Sequence, residues 1–366
     1  MSKLGKFRRT LALTMAIGLG SLSLPTTKAD EGMWTFDNPP LKQLKEKYNF
    51  EPSKEWLDHV RLSSVRLNDG GSGSFISPDG LVMTNHHVAS GQLAKLSTEQ
   101  RDLLKTGFYA RTLSEELPCP DLEMNVLVSL ENVTEKIQKA AAGAPDDKTA
   151  NERRKAEIAK IEKESTEATK LRCNVVQLYQ GGEYWLYQYK KYTDLRLVFA
   201  PEKDIAFFGG DPDNFTYPRY NLDVTFLRAY EDGKPAKVKH YFKWNEKGPQ
   251  NDELVFVAGH PGSTDRLETV AQLEYQRDVS NPLTLKLLGL LRSELNKFGS
   301  QGPEQQRRAQ DLLFGIENSL KAIGGEQEGL LDPKVIDKKR ADEQELRRRV
   351  AENSELQKAY GAAWDQ

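Results

Sequence analysis

The stretch from Gly70 to Ser90, GGSGSFISPDGLVMTNHHVAS, constrains this chain more than any other, because it joins two strand signals, a tight turn and a histidine pair. Ser74, Phe75 and Ile76 read as a short strand, Ser77-Pro78-Asp79-Gly80 as a Pro-and-Gly turn, and Leu81-Val82-Met83-Thr84 as a second, apolar strand. A hairpin therefore delivers Asn85-His86-His87 at its exit. Histidine suits general-base work there, since an ordinary imidazole pKa of about 6.5 lets it accept and return a proton near neutrality. Such a base needs a carboxylate behind it and a nucleophile in front.

Strand signals recur downstream. Leu122 to Val128 alternates, and Asn174 to Phe207 holds three runs: Val175 to Tyr179, Tyr184 to Tyr189, and Asp194 to Phe199. Val224 to Tyr230 and Glu253 to Gly259 predict two more. The meander reads as the body of a β-barrel. Helical signals flank and interrupt it. Asp37 to Leu67 predicts a loop and an amphipathic helix carrying Leu41, Leu44, Tyr48, Trp56 and Val60. Ser97-Thr98-Glu99-Gln100 reads as a capping box opening a helix that ends near Gly107. Thr134 to Leu171, rich in Ala, Lys, Glu and Arg and broken at Gly143 to Asp147, predicts a helical hairpin with solvated faces. After Thr269 the pattern turns to long helices over Leu273 to Ser293, Glu304 to Ile323 and Lys338 to Tyr360. The expected fold class is mainly β plus α: a barrel over residues 30–268, with a helical insertion at about 134–172, then a helical region over 269–366.

The first 29 residues stand apart. Lys3, Lys6, Arg8 and Arg9 precede an apolar run from Leu11 to Leu24, and Thr27-Lys28-Ala29 has small residues at cleavage spacing. This predicts a signal peptide cut after Ala29, and hence a periplasmic or secreted protein. The run is short for a bilayer span and is interrupted by Gly18, Gly20 and Pro25, so no membrane association is expected once the signal is cut. The whole chain holds 52 Lys+Arg against 54 Asp+Glu. Removing the five basic residues of the first 29, which contain no acidic one, leaves 47 against 54, formally −7. That balance does not point to nucleic acid. Cys119 and Cys173 would face an oxidising compartment, so they form either a disulfide or two buried thiols; their spacing fits no zinc site. His59, His240 and His260 lack partner patterns and read as structural.

The segment Thr84-Asn85-His86-His87 resembles the catalytic-histidine segment of trypsin-like serine peptidases. Further runs narrow the resemblance to the bacterial serine dipeptidyl-peptidases of the dipeptidyl-peptidase 7 and 11 type. These runs are Ala29 to Trp34, Tyr179-Gln180-Gly181-Gly182, Tyr192 to Val198, Phe208-Gly209-Gly210-Asp211-Pro212-Asp213-Asn214-Phe215, Pro218-Arg219, and Asp223 to Tyr230. The resemblance covers nearly all of the chain after the leader. It implies a chymotrypsin-like barrel with an inserted helical domain, a Ser-His-Asp triad, and no metal or cofactor. His87, rather than His86, would be the base and Asp223 the residue that orients it. Asn214 and Phe215 match an Asn-Trp pair that holds the substrate's free α-amino group, and Asn318 matches a helical-domain Asn of the same anchor. An amide oxygen accepts from an ammonium, and an aromatic ring adds a cation–π face. The partner would be an oligopeptide with a free N-terminus, and the full-length protein could form a homodimer. Relatives of this type often carry a cysteine bridge between the positions held here by Ser72 and Val88.

The family's Gly-Asn-Ser-Gly-Ser-Pro nucleophile segment does not occur in these residues. Gly71-Ser72-Gly73-Ser74 precedes the hairpin and runs into a strand, so Ser72 and Ser74 are rejected as nucleophiles. The expectation is the N-terminal half of a longer peptidase whose serine lies in sequence not present here. A non-catalytic peptide-binding remnant is the alternative, and a second polypeptide supplying the serine a third reading.

Overall fold

Alternation of apolar and polar residues builds one antiparallel sheet, and the helices gather on its flanks and after it. The computed structural model describes residues 30, 32–68, 70–98 and 100–364. The leader and its cleavage site lie outside them. Residues 34–364 belong to one compact unit, and it is this unit that is described below.

The strands are β1 (Ser64–Leu67), β2 (Ser72–Phe75), β3 (Leu81–Thr84), β4 (Phe108–Tyr109), β5 (Leu117–Pro118), β6 (Met124–Asn132), β7 (Arg172–Leu178), β8 (Glu183–Tyr192), β9 (Asp194–Ala200), β10 (Thr225–Glu231) and β11 (Lys234–Pro235). Their order is β4-β9-β10-β3-β2-β1-β6-β8-β7, with β5 beside β9 and β11 beside β10. All pairings are antiparallel; β1–β2, β2–β3 and β7–β8 join consecutive strands, whereas β1–β6, β6–β8 and β3–β10 bring together strands distant in sequence. The ladder does not close into the expected barrel. It does curl: β8 and β10, five places apart in the order, come into contact, and Lys190 of β8 pairs with Glu231 of β10 at 2.9 Å.

The concave face holds the main core. Val65, Phe75, Val82, Leu103, Met124, Leu195, Leu197 and Leu227 are all essentially inaccessible to solvent. At roughly 1.5–3 kcal/mol for each fully buried large apolar side chain, this face is the fold's principal stabiliser. A second cluster, Val133, Ile137, Ile161, Cys173 and Leu186, lies where helices α5 (Thr134–Ala141) and α6 (Asp147–Thr169) cover β7 and β8. This is the expected helical hairpin. Cys119 sits in the first cluster and Cys173 in the second, so the two thiols are not bridged to each other. The disulfide weighed from sequence is replaced by two buried sulfurs, each close to a backbone carbonyl: Leu117 for Cys119, Leu171 for Cys173.

Other helices adjust the sequence reading. Residues 37–67 form α1 (Leu41–Tyr48) and α2 (Lys54–Ser63), the latter capped by Ser53, and then the unpredicted strand β1. Helix α3 (His86–Leu96) starts inside the histidine pair. The expected capping box at Ser97 does not open a helix; Asp102 caps the single turn α4 (Leu103–Thr106) instead, accepting from the N–H groups of Leu104 and Lys105. Two further single turns, α7 (Lys203–Ala206) and α8 (Gly210–Asp213), lead toward β10. The strand expected over Glu253 to Gly259 is an extended segment with no ladder partner among the described residues. Its side chains still alternate: Phe256 packs on Phe50 and Trp56 while Val255 and Val257 face solvent.

The helical region begins with α9 (Val270–Tyr275), which carries a full Thr269–Gln272 capping box, and runs through a π-helical segment into α10 (Asn281–Gly299). Then come α11 (Pro303–Leu331), α12 (Pro333–Glu352) and α13 (Ser354–Tyr360). A three-residue turn makes α10 and α11 neighbours.

Candidate active site

The β3–β10 ladder brings the histidine segment to Asp223. Thr84 stands opposite Thr225, so two steps further along each strand His86 and Asp223 come level. Because α3 begins at His86, the N–H groups of its first turn point toward that carboxylate. Asn85 occupies the N-cap position but its side chain makes no capping bond. Asp223 does this from across the sheet: Oδ1 accepts from the His87 backbone N–H at 3.0 Å. Oδ2 accepts from Asn85 Nδ2 at 3.2 Å and meets His87 Nδ1 at 2.7 Å. The positive end of a helix favours a carboxylate in this place.

These contacts decide the protonation pattern. Burial pushes the Asp223 carboxyl upward, but the hydrogen bonds from the His87 ring and backbone, with the attraction of the imidazole, outweigh it and hold the group below the usual carboxylate range. An ionised carboxylate can only accept, so the proton on the neutral imidazole sits at Nδ1. That leaves the Nε2 lone pair free as a base. The His87 side chain is 57% exposed while that of Asp223 is 23% exposed, so the base is reachable and its partner shielded. His86 differs on every count. It is buried, its ring bonds to the Pro201 carbonyl, its Nε2 has no partner among the described residues, and burial lowers its pKa. Ser72 is already engaged: its Oγ accepts the His260 backbone N–H at 2.7 Å. Val88 sits directly against Gly71, whose φ of +98° and missing Cβ leave room for the valine methyls.

A second constellation forms in the loop before Asp223. Asn214 Nδ2 donates to Asn318 Oδ1 at 3.1 Å, which brings together two of the residues singled out from sequence. Phe215 beside them has φ +62° and a ring 62% exposed. A left-handed Phe is unusual. Arg219, Lys321 and the Phe207–Phe314 pair belong to the same cluster and were given no role by sequence reasoning. Arg219 Nη1 donates to Asn214 Oδ1 at 2.8 Å, and its guanidinium lies 4.9 Å from the Phe207 ring centroid. Phe207 meets Phe314 edge-on at 5.0 Å. Lys321 Nζ donates to the carbonyls of Asp211 and Asn214. The signal for the α11 residues lay in their spacing: 314, 318 and 321 share one helix face.

Among the described residues no group of three or more His, Cys, Asp or Glu could hold a metal, and no helix is long and apolar enough to cross a membrane.

The chain was then compared with known proteins. It is 30% identical to "Dipeptidyl-peptidase 7" of Capnocytophaga gingivalis over 89% of this chain and 48% of that protein. It is also 30% identical to the "Asp/Glu-specific dipeptidyl-peptidase" of Shewanella putrefaciens, over 95% and 48%. The chain thus spans about half the length of the curated relatives it matches. Its fold matches the crystal structure of Porphyromonas endodontalis DPP11 in complex with the dipeptide Arg-Asp at a TM-score of 0.74 and 23% identity, covering 91% of this chain and 52% of that one. The family model described as Peptidase S46 matches residues 29–366. The chain belongs to the Peptidase S46 family.

Proposed function

We propose that this chain carries the base and the substrate anchor of an exported serine-type dipeptidyl-peptidase that releases dipeptides from the free N-terminus of oligopeptides. The observation that carries this reading is the 2.7 Å contact between His87 Nδ1 and the ionised Asp223, on a His87 side chain that is more than half exposed. His87 would take the proton of an attacking serine hydroxyl and return it to the leaving amine, while Asp223 fixes the tautomer and stabilises the imidazolium. The serine would come from polypeptide outside these residues, a reading supported by the roughly twofold length of the relatives. The curled run from β10 to β8, bridged by Lys190 and Glu231, is read as a counterpart of one chymotrypsin-like barrel. Asn214 and Asn318 would accept from the substrate's ammonium, and the exposed Phe215 ring would face it. Anchoring the amine at a set distance from the base selects the second peptide bond. The leader over residues 1–29 would direct export.

The test is expression of the complete gene product, with assay on dipeptidyl amide substrates and their N-acetylated forms, beside a His87→Ala variant. Cleavage of free-amine substrates alone, abolished in the variant, is the expected result. If the purified product binds these peptides and cleaves none, the chain is a peptide-binding remnant. N-terminal sequencing of the exported protein should begin at Asp30.

A further inference from the structure

We infer that Arg219 is a positioning residue that fixes which atoms of Asn214 and Asn318 are offered to a substrate amine; this rests on the amine-anchor reading above. A carboxamide can turn over, presenting either an acceptor oxygen or a donor NH2 to the same point, and only its partners decide which. A guanidinium has donors and no acceptor. Arg219 Nη1, 2.8 Å from Asn214, therefore requires Oδ1 on that side. Asn214 is then left to donate from Nδ2, and the group it meets at 3.1 Å on Asn318 must be the oxygen. The polarity set at Arg219 thus runs through both amides. Each oxygen has accepted one hydrogen bond and keeps a second lone pair, which suits an ammonium.

The guanidinium is itself fixed. It stacks on Phe207, which is held edge-on by Phe314 of α11, and its Nε and Nη2 are inaccessible to solvent and find no acceptor among the described residues. Arg219 thus has one directed hydrogen bond here, and that bond goes to Asn214. A lysine at this position would preserve the polarity, being donor-only. A glutamine would not, because it can present either end and so lets Asn214 reverse.

Calorimetric titration of the purified complete gene product with the dipeptide Ala-Ala and with N-acetyl-Ala-Ala tests this. The unsubstituted chain should prefer the free amine, and its affinity should fall as pH rises past about 8, where an α-amino group loses its proton. Arg219→Gln should lose about tenfold of that preference and show a flattened pH profile, whereas Arg219→Lys should stay within about threefold. A purely structural role would weaken both ligands together and leave the pH profile unmoved. The inference is overturned if Arg219→Gln keeps both preference and profile. Asn214→Ala and Asn318→Ala separate the two levels. If they abolish the preference while Arg219→Gln does not, only the orienting role fails. If they too leave it intact, or if the unsubstituted chain shows no preference, the anchor reading falls and the inference with it.

Discussion

Asp223 does two jobs with two oxygens, and the identity of each follows from the donor it meets. Oδ1 accepts from the backbone at the start of α3, a bond any side chain with an oxygen in that place could take. Oδ2 faces His87 Nδ1, where only an acceptor leaves the imidazole with its base at Nε2. Asp223→Asn keeps the first and inverts the second. With its oxygen retained by the His87 N–H, the new NH2 turns to Nδ1 and drives the ring proton to Nε2. In the complete gene product kcat should fall by about 10⁴-fold, the order seen when a triad carboxylate becomes an amide, with KM little changed. A loss under tenfold would mean that Asp223 serves as a helix cap and nothing more. The carboxyl is held low, so it remains ionised throughout the range in which an imidazole titrates.

At the scale of elements, the β2–β3 hairpin sets where α3 begins, and Gly80 is the residue that lets it turn. Its φ is +69°, and an added Cβ would lie 2.9 Å from the Ala229 carbonyl oxygen and 3.0 Å from that of Ala236. Both obstacles are backbone, on the side where β10 and β11 pass, so neither can move aside. Gly80→Ala should cost about 1–3 kcal/mol, visible as a lower Tm, and should reduce activity through the displaced histidine segment. An unchanged Tm would show that the turn relaxes freely. This hairpin, together with β7 to β10 and the α5–α6 pair, was legible in the sequence because strict alternation or a charged, Ala-rich run separated by Gly or Pro leaves little choice of element. The errors share a different cause. Whether Ser97 or Asp102 caps a helix depends on competing side-chain bonds: Ser97 Oγ is taken up by the Leu93 carbonyl and the Leu103 N–H. Strand β1 is four residues whose evidence is its place between β2 and β6. Glu253 to Gly259 has the alternation of a strand, but ladder pairing is a property of two segments, and no strand pairs with it among the described residues. At the site, His87, Asp223, Asn214 and Asn318 came from motif resemblance, and the structure brings them together in two pairs. Arg219 and Phe207 acquire their meaning only from contacts across the loop.

At the scale of the whole molecule, three histidines outside the candidate base respond to pH in the same direction. His86, His240 and His260 are each held below the ordinary imidazole value, in every case by burial first. His260 is lowered to about 4, with nearby Arg66 adding to the effect. It lies against Phe36 and Tyr189, and its Nε2 has no partner among the described residues. His240 faces His59 of α2, Nδ1 to Nδ1 at 3.2 Å, an approach that requires one ring to donate and the other to accept. Protonating both rings would set two cations there, with Arg61 and Lys239 adding repulsion and Asp58 opposing it. These contacts hold α2 and the segment returning from β11 toward the helices. Since the folded pKa values lie below the unfolded value of about 6.5, the unfolded chain binds more protons as pH falls, so stability is full above about 6.5 and declines below it. For His260 the decline continues to about 4, and the difference amounts to at most about 3 kcal/mol. Paired carboxylates, starting from lower values, add their own loss only further down. Thermal unfolding followed at pH 7, 6, 5 and 4 should therefore show Tm dropping well before carboxylates titrate. His260→Leu, apolar and of similar bulk, should flatten the drop between pH 6 and 4 even if it lowers Tm at pH 7, because the loss of the imidazole removes the linked proton. Parallel curves for the two proteins would place the acid response in the carboxylates and leave His260 as packing alone.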